Sequence, residues 1–97
     1  MYKGCDFMKK VKLTLSGRVQ GVGMRFFINR TATRFKLKGY VKNLYNDKVE
    51  SVVHGEEAII EEFIKYIKLH SPGTIDNIVV SDMDNNKIYT KFSVKIF

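Results

Sequence analysis

The sequence predicts an α+β domain in which two helices pack on one face of a mainly antiparallel sheet. A chain of 97 residues with 44% apolar content and a single proline has the size and composition of one folded domain. Apolar residues alternate with polar ones in several segments and recur at helical spacing in two others. These segments follow the order βαββαβ with one further strand at the end, which is typical of a two-layer sandwich.

The first strand and the first helix lie within residues 11–35. Val11, Leu13 and Leu15 alternate with polar residues, as in a strand that buries one face. The pattern changes to helical spacing from about Arg25 to Phe35. One face of this helix carries Met24, Ile28, Ala32 or Thr31, and Phe35, while Arg30 and Arg34 lie near the opposite side.

The next two strands form a predicted hairpin. Gly39 precedes the short segment from Tyr40 to Leu44, which we interpret as a strand. Asn46 and Asp47 indicate the turn, because both residues tolerate left-handed backbone dihedrals. The returning strand contains Val49, Val52 and Val53.

The second helix has the clearest pattern, from Glu56 to His70. Its apolar stripe consists of Ile60, Phe63, Ile64 and Ile67, with Glu56 and Glu57 in the first turn and Lys65 and Lys68 near the last. That charge order complements the helix dipole, and Ser71-Pro72-Gly73 ends the helix. Two strands follow, at Ile78 to Met83 and at Phe92, Val94 and Ile96. The complete order is that of a ferredoxin-like sandwich.

Charge is unevenly distributed along the chain. The net charge is +7, but residues 1–50 hold 12 basic against 3 acidic residues (+9), whereas residues 51–97 hold 5 against 7 (−2). A basic half can bind nucleic acid, can attract a small anionic substrate, or can simply be a solvated lysine-rich surface.

Hydropathy and the single cysteine indicate the cellular compartment in which we expect the protein. No apolar run approaches the roughly 20 residues that a membrane span needs, and the first eight residues lack the apolar core of a secretory signal. Cys5 is the only cysteine, so no internal disulfide can form, and we expect a free thiol in a reducing cytoplasm.

The segment Gly17-Arg-Val-Gln-Gly-Val-Gly-Met-Arg25 carries most of the functional information. Its three glycines allow a tight turn that directs several backbone N–H groups at one point. A helix N-terminus behind the turn favours an anion, and Arg25 offers a planar fork for phosphate oxygens. These features predict a phosphate-binding loop of Arg18, Val19, Gln20, Gly21, Val22, Gly23 and Met24, with Arg25 beside it. A glycine-rich turn with an incidental arginine is the alternative.

Other phosphate and metal chemistries fit poorly. Neither the P-loop pattern nor the dinucleotide pattern G-x-G-x-x-G occurs here, and no hydroxyl follows the turn to hold magnesium. His54 and His70 lack metal-ligand spacing, and no cysteine or carboxylate completes a ligand set, so we expect no bound metal. We assign Glu56, Glu57, Glu61 and Glu62 to the solvent face of a helix.

Gly17 to Arg25, Ala32, Gly39-Tyr-Val-Lys-Asn43 and Val49-Glu50 together resemble the acylphosphatases in order and spacing. The resemblance covers residues 9–97 and leaves residues 1–8 as a loose extension. It implies a ferredoxin-like fold and hydrolysis of small acyl phosphates to carboxylate and inorganic phosphate, with no metal or organic cofactor. It further implies that the loop N–H groups and Arg25 bind phosphate and that Asn43 orients the attacking water. We expect a monomer that inorganic phosphate inhibits competitively.

Three positions depart from the family pattern. Met24 stands where an aromatic residue is common, and Lys36 stands where a glycine usually closes the first helix. If the backbone at Lys36 is left-handed, its side chain costs about 1 kcal/mol. Asn46-Asp47 replaces the usual Asp-Gly turn. None of these positions belongs to the predicted chemistry.

Two other functions remain as alternatives. An RNA-binding domain can share this architecture, and Lys38-Gly-Tyr-Val-Lys42 is similar to part of its aromatic motif, although it lies on the second strand rather than the third. Packing is the simpler explanation of Tyr40, and nucleic acid is therefore not the expected partner. A non-catalytic regulatory module that binds a small anion is the other alternative.

Overall fold

A computed structural model describes residues 8–83 and 87–96. The elements, in chain order, are β1 (Met8–Arg18), α1 (Met24–Arg34), β2 (Lys38–Asn43), β3 (Val49–Glu56), α2 (Glu57–His70), β4 (Thr74–Asp82) and β5 (Phe92–Lys95). Neither α1 nor α2 is long and apolar enough to cross a membrane. The predicted order of helices and strands is confirmed.

The five strands form one sheet in the order β4-β1-β3-β2-β5. β1 pairs antiparallel with both β3 and β4, β2 pairs antiparallel with β3, and β5 runs parallel to β2. Strand residues that alternate along β1 and β2 enter the core beneath the helices. The buried core contains Val11, Leu13, Leu15, Ile28, Ala32, Val41, Val53, Ile60, Phe63 and Ile67, among others.

The two helices meet each other through aromatic residues. Phe35, just after α1, packs edge-on against Phe63 of α2, with the ring centres 6.0 Å apart. Tyr66 of α2 contacts both Phe27 and Phe35. Edge-on and offset arrangements of this kind suit the ring quadrupoles. The predicted apolar stripe of α2 is therefore what attaches this helix to α1 and to the sheet.

The helix α1 ends in a Schellman motif. The N–H of Lys36 donates to the carbonyl of Thr33 at 3.0 Å, and the N–H of Leu37 donates to that of Ala32 at 2.9 Å. Lys36 has φ of 62°, which is the left-handed conformation that a glycine adopts most easily. Asp47 in the β2–β3 turn has φ of 70°, as expected for a hairpin that lacks its glycine.

Some predicted boundaries were wrong. β1 begins at Met8, which pairs with Glu56, whereas the alternating pattern in the sequence starts at Lys10. β4 begins at Thr74 rather than Ile78, because a bulge after Ser16 brings Gly17 opposite Ile75 and Arg18 opposite Thr74. Residues 1–7, including Cys5, lie outside the described residues, so the loose extension stays a prediction.

The sheet face opposite the helices is partly covered by residues 87–91, which connect β4 to β5. Lys10 of β1 is almost fully buried beneath this segment. Its ammonium donates to the carbonyl of Lys87 and lies 5.4 Å from the ring centre of Tyr89. Tyr89 also packs on Tyr40 of β2, with ring centres 5.9 Å apart. This connection therefore fixes the surroundings of Tyr40.

Candidate active site

A cavity of about 280 Å³ lies where the β1–α1 loop, the start of α1 and the ends of β2 and β5 meet. Its lining residues are Val19, Gly21, Gly23, Met24, Arg25, Phe26, Asn43, Val94 and Ile96. The volume is at the small end of ligand pockets, which are usually about 300–1,000 Å³. The structure thus brings six residues of the predicted site into one cavity.

Two glycines shape the loop in front of α1. Gly21 has φ of 73° and Gly23 has φ of 83°, both in the left-handed region. A Cβ atom built on either glycine meets no other atom within 4 Å, so the space beside the loop is open and the need for glycine is conformational. The loop therefore turns into the helix while leaving its backbone accessible from the cavity.

The start of α1 leaves backbone donors at the cavity. The first intrahelical hydrogen bond runs from the N–H of Phe27 to the carbonyl of Gly23 at 3.0 Å. The N–H groups of Met24, Arg25 and Phe26 come before it and have no partner within the helix. Gly23, as the N-cap residue, has no side chain to accept from them, and the first turn contains no acidic residue. Three donors and the positive end of the helix dipole favour an anion here.

Arg25 lies in the first turn of α1 and is half-buried. Its position places a guanidinium in the wall of the cavity that contains the backbone donors. None of the ion pairs found among residues 8–83 and 87–96 involves Arg25. The guanidinium and the loop can therefore address the same bound anion.

Asn43 is the last residue of β2, where it pairs with Val49 of β3. Side chains alternate along a strand, so Asn43 projects to the same face as the fully buried Val41. That face is covered by α1, and Asn43 reaches the cavity at the open end of the strand. The sequence predicts Asn43 on the second strand, and the fold brings this residue to the same cavity as the loop before α1.

Three residues of the predicted loop do not line the cavity. Arg18 is an exposed end residue of β1 and pairs with Thr74. The side chain of Val22 is half-buried and faces Gly73. Gln20 donates from its amide nitrogen to the carbonyls of Leu44 at 2.6 Å and Lys48 at 2.8 Å. The side chain of Gln20 therefore ties the loop to the β2–β3 hairpin instead of facing the cavity.

Conventional acids and bases are absent from the described part of the cavity lining. Within residues 8–83 and 87–96, neither a carboxylate nor an imidazole lines the cavity. His54 lies on β3 beside Lys10 and Lys38 of the neighbouring strands, and His70 packs on Tyr66 with ring centres 4.4 Å apart. No group of three or more His, Cys, Asp or Glu side chains that could hold a metal occurs in the part of the chain that the structure describes.

The four glutamates assigned to a helix surface lie at and after the start of α2. Glu56 is the last residue of β3 rather than the first of the helix, and it is exposed, as are Glu61 and Glu62 of α2. Glu57 pairs with Lys9 at 3.3 Å, and this hydrogen bond, with the nearby charge of Asp82, raises the pKa of Lys9. None of these four glutamates lines the cavity.

The comparison with known proteins agrees with this geometry. A model of the acylphosphatase family matches residues 11–94. The chain belongs to the acylphosphatase family. An acylphosphatase of Caldivirga maquilingensis is 41% identical over 88 residues, which cover 89% of this chain and 93% of the relative. An acylphosphatase of Bacillus subtilis is 33% identical over 88 residues, which cover 90% of this chain and 97% of the relative.

Solved structures of acylphosphatases also share this fold. The crystal structure of the acylphosphatase from Bacillus subtilis superposes with a TM-score of 0.84 at 31% identity, over 92% of this chain and 99% of that one. The predicted ferredoxin-like fold and the predicted activity are both confirmed. The enzyme hydrolyses the carboxyl–phosphate bond of acyl phosphates and releases a carboxylate and inorganic phosphate.

Tyr40, on which the RNA-binding alternative depended, is only 9% exposed. Its hydroxyl donates to Glu50 at 2.7 Å, and the ammonium of Lys95 lies 4.1 Å from the centre of its ring. RNA-binding sheets present an open aromatic face on which a base stacks. Tyr40 is instead a packing residue, and the structure favours the acylphosphatase prediction.

Sequence reasoning missed the apolar walls of the cavity, Phe26, Val94 and Ile96. Phe26 follows Arg25 and lies outside the apolar stripe of α1, so its local pattern predicts only an exposed residue. Val94 and Ile96 reach the cavity because β5 pairs parallel to β2. Such a pairing between distant segments leaves no local signal in the sequence.

Proposed function

We propose that the backbone N–H groups of the loop and of the start of α1, together with Arg25, hold the phosphoryl group of the acyl phosphate. Three unpaired backbone donors at one helix start and a guanidinium in the same cavity wall support this assignment. Phosphoryl transfer spreads charge over the equatorial oxygens, and donors aimed at those oxygens stabilise the transition state. Arg18 contributes positive potential from the rim of the site rather than a direct contact.

Asn43 orients the attacking water in this proposal. A neutral amide donates one hydrogen bond and accepts another, so it can fix the direction of a water molecule without repelling the anion. The carboxylate of an acyl phosphate leaves readily, so the remaining task is to hold water and phosphorus in line. The position of Asn43 in the same cavity as Arg25 is the observation that carries this role.

The proposed reaction uses no metal ion, organic cofactor or protein base. In a loose phosphoryl transfer the water needs orientation more than early deprotonation. The lining of the cavity, which offers a guanidinium and an amide as its polar side chains, suits that mechanism. We further propose that inorganic phosphate is a competitive inhibitor and that the enzyme works as a monomer in the cytoplasm, in keeping with its single cysteine.

Substitution of the two polar residues tests this assignment with an aromatic acyl phosphate as substrate. Arg25→Ala should abolish most turnover and weaken inhibition by inorganic phosphate. Asn43→Ala should lower kcat by roughly 10²–10³-fold, by analogy with the loss of one oxyanion donor, while KM and phosphate inhibition change little. Asn77→Ala, at an exposed position of β4, is the matched control and should behave as wild type.

Two outcomes contradict the proposal. If Asn43→Ala alters only KM, the residue contacts substrate rather than the attacking water. If a chelator removes activity and magnesium restores it, the reaction depends on a metal that this assignment does not include. Melting temperatures of the variants should stay close to wild type, which separates a lost contact from a lost fold.

A further inference from the structure

The cavity that contains Arg25 continues into an apolar surface. Phe26, Val94 and Ile96 line its outer part, and their side chains are 65%, 36% and 72% exposed. Exposed apolar side chains are common singly, but several of them together at a pocket indicate contact with a ligand or a partner. The mechanism described above uses none of these three side chains.

Phe26 is held in place at the entrance. It follows Arg25 in the first turn of α1, and the guanidinium of Arg30 lies 5.1 Å from the centre of its ring. A cation over the face of an aromatic ring favours one ring orientation. The phenyl ring therefore lines the cavity with the guanidinium of Arg30 against one of its faces.

The other wall comes from the edge of the sheet. Val94 of β5 pairs with Val41 of β2, and Ile96 follows two residues later on the same face. This continues the face from which Asn43 projects into the cavity. Apolar side chains thus border the proposed phosphate site on both the helix side and the sheet side.

We infer that Phe26, Val94 and Ile96 bind the acyl group and select acyl phosphates whose acyl group is aromatic or branched aliphatic. The inference rests on the proposed function, because the acyl group reaches this surface when the phosphoryl group is held at Arg25. Apolar acyl atoms gain from burial on these side chains, whereas a second carboxylate on the acyl group would lose hydration without a partner. Among the described residues that line the cavity, Arg25 is the one with a charged side chain, and the proposed function assigns it to the phosphoryl group.

A comparison of two substrates tests the inference. Benzoyl phosphate and acetyl phosphate share the phosphoryl group and differ in the acyl group, so the ratio of their kcat/KM values reports the acyl contact. Phe26→Ala should lower the benzoyl-to-acetyl ratio by about tenfold, and Ile96→Ala should lower it several-fold, as expected for lost apolar contacts. Phe26→Leu should restore most of the ratio. Leu69→Ala, at an exposed apolar residue of α2 outside the cavity, is the matched control and should leave the ratio unchanged.

Inhibition by inorganic phosphate separates this inference from the proposed function, because phosphate has no acyl group. An unchanged ratio in both Phe26→Ala and Ile96→Ala would overturn the acyl contact. An equal loss for both substrates, with weaker phosphate inhibition, would also overturn it, since Phe26 would then shape the phosphate site. Failure of Arg25→Ala to weaken phosphate inhibition would instead refute the proposed function, whatever the ratio does.

Discussion

At the residue scale, the proposed chemistry depends on geometry more than on charge. Arg25 offers a planar fork with several N–H donors, and the neighbouring backbone donors are fixed by the turn at Gly21 and Gly23. In the proposed function they bind one anion together, and donors that the fold has already placed lose little entropy when the anion binds. A cation of the same charge but a different shape would not reproduce this arrangement.

Arg25→Lys tests that statement. A lysine ammonium is a point charge on a flexible chain and cannot form two parallel hydrogen bonds to a phosphoryl group. Loss of a hydrogen bond to a charged group costs about 1.5–3 kcal/mol, so kcat/KM should fall by at least tenfold. Arg34→Lys, in the exposed last turn of α1, is the matched control in the same steady-state assay. Near-normal turnover by Arg25→Lys would refute the bidentate role.

Lys36 is a second residue at which backbone geometry dominates. It occupies the left-handed position that closes α1, with φ of 62°. The left-handed conformation costs a residue with a Cβ atom about 1–2 kcal/mol, although a glycine also gives the unfolded chain more freedom. The net effect of the lysine is therefore a modest loss of stability outside the active site.

Lys36→Gly should raise the free energy of unfolding by roughly 0.5–1 kcal/mol, which corresponds to about 2–8 °C in Tm for a domain of this size. Thermal unfolding followed by circular dichroism measures the change. Lys36→Ala is the matched control, because alanine removes the charge but keeps the Cβ atom, and it should give no such gain. Equal stabilisation by both variants would show that the charge of Lys36, rather than its backbone conformation, is unfavourable.

At the element scale, the cavity is assembled from segments that are distant in the sequence. The loop before α1 and the end of β2 are joined by the side chain of Gln20, which donates to the carbonyls of Leu44 and Lys48. The hydrogen bond from the N–H of Leu44 to the carbonyl of Lys48 closes the hairpin that carries Asn43. Gln20 thereby couples the position of Asn43 to that of the phosphate loop.

The sequence allowed prediction of elements whose signal is local. The helix stripe at Ile60, Phe63 and Ile67 and the loop before Arg25 follow from periodicity and from the glycines, and both predictions agree with the structure. The start of β4 at Thr74 was missed, because that strand lies at the sheet edge and alternates weakly. The place of β5 beside β2 depends on a long-range parallel pairing, so the apolar wall of the cavity could not be predicted.

The face of the sheet opposite the helices carries a partly buried polar contact between β2 and β3. The hydroxyl of Tyr40 donates to the carboxylate of Glu50, which also lies 3.8 Å from the ammonium of Lys42. Burial, and then the hydrogen bond to Glu50, raise the pKa of Tyr40. The folded protein therefore keeps the Tyr40 proton at a pH at which the unfolded chain, with an ordinary tyrosine near pH 10, releases it.

Tyr40→Phe should lower the free energy of unfolding by about 1.5–3 kcal/mol near pH 8, because Glu50 loses a donor. As pH rises above about 10 the unfolded wild type binds fewer protons than the folded state, so the stabilisation by Tyr40 is progressively lost. The stability gap between wild type and Tyr40→Phe should therefore narrow above pH 10, as measured by urea unfolding. Tyr45→Phe, at a fully exposed tyrosine, is the control. A gap that stays constant to pH 11 would contradict the raised pKa.

At the scale of the whole molecule, the net charge of +7 is expected to attract an anionic substrate before it binds. Residues 1–50, which contain the loop, Arg25 and Asn43, carry a net charge of +9, whereas residues 51–97 carry −2. The molecule measures 41 × 28 × 21 Å. The screening length of salt is about 30 Å at 0.01 M and about 8 Å at 0.15 M. At low salt, charges across the molecule therefore contribute to the potential at the active site, and at physiological salt only the nearest ones do.

We expect kcat/KM for an anionic acyl phosphate to fall several-fold between about 0.01 and 0.15 M salt, while kcat stays nearly constant. In the proposed function the bound phosphoryl group contacts its donors directly, so salt screens it little, whereas salt fully screens the approaching substrate. Lys38→Glu changes an exposed residue of β2 that does not line the cavity, so it should lower kcat/KM at low salt and converge with wild type at high salt. Glu62→Lys, on the exposed surface of α2, is the opposite control and should raise kcat/KM slightly at low salt. If kcat falls with salt as steeply as kcat/KM, salt acts on the bound complex, and attraction over distance does not explain the basic half of the chain.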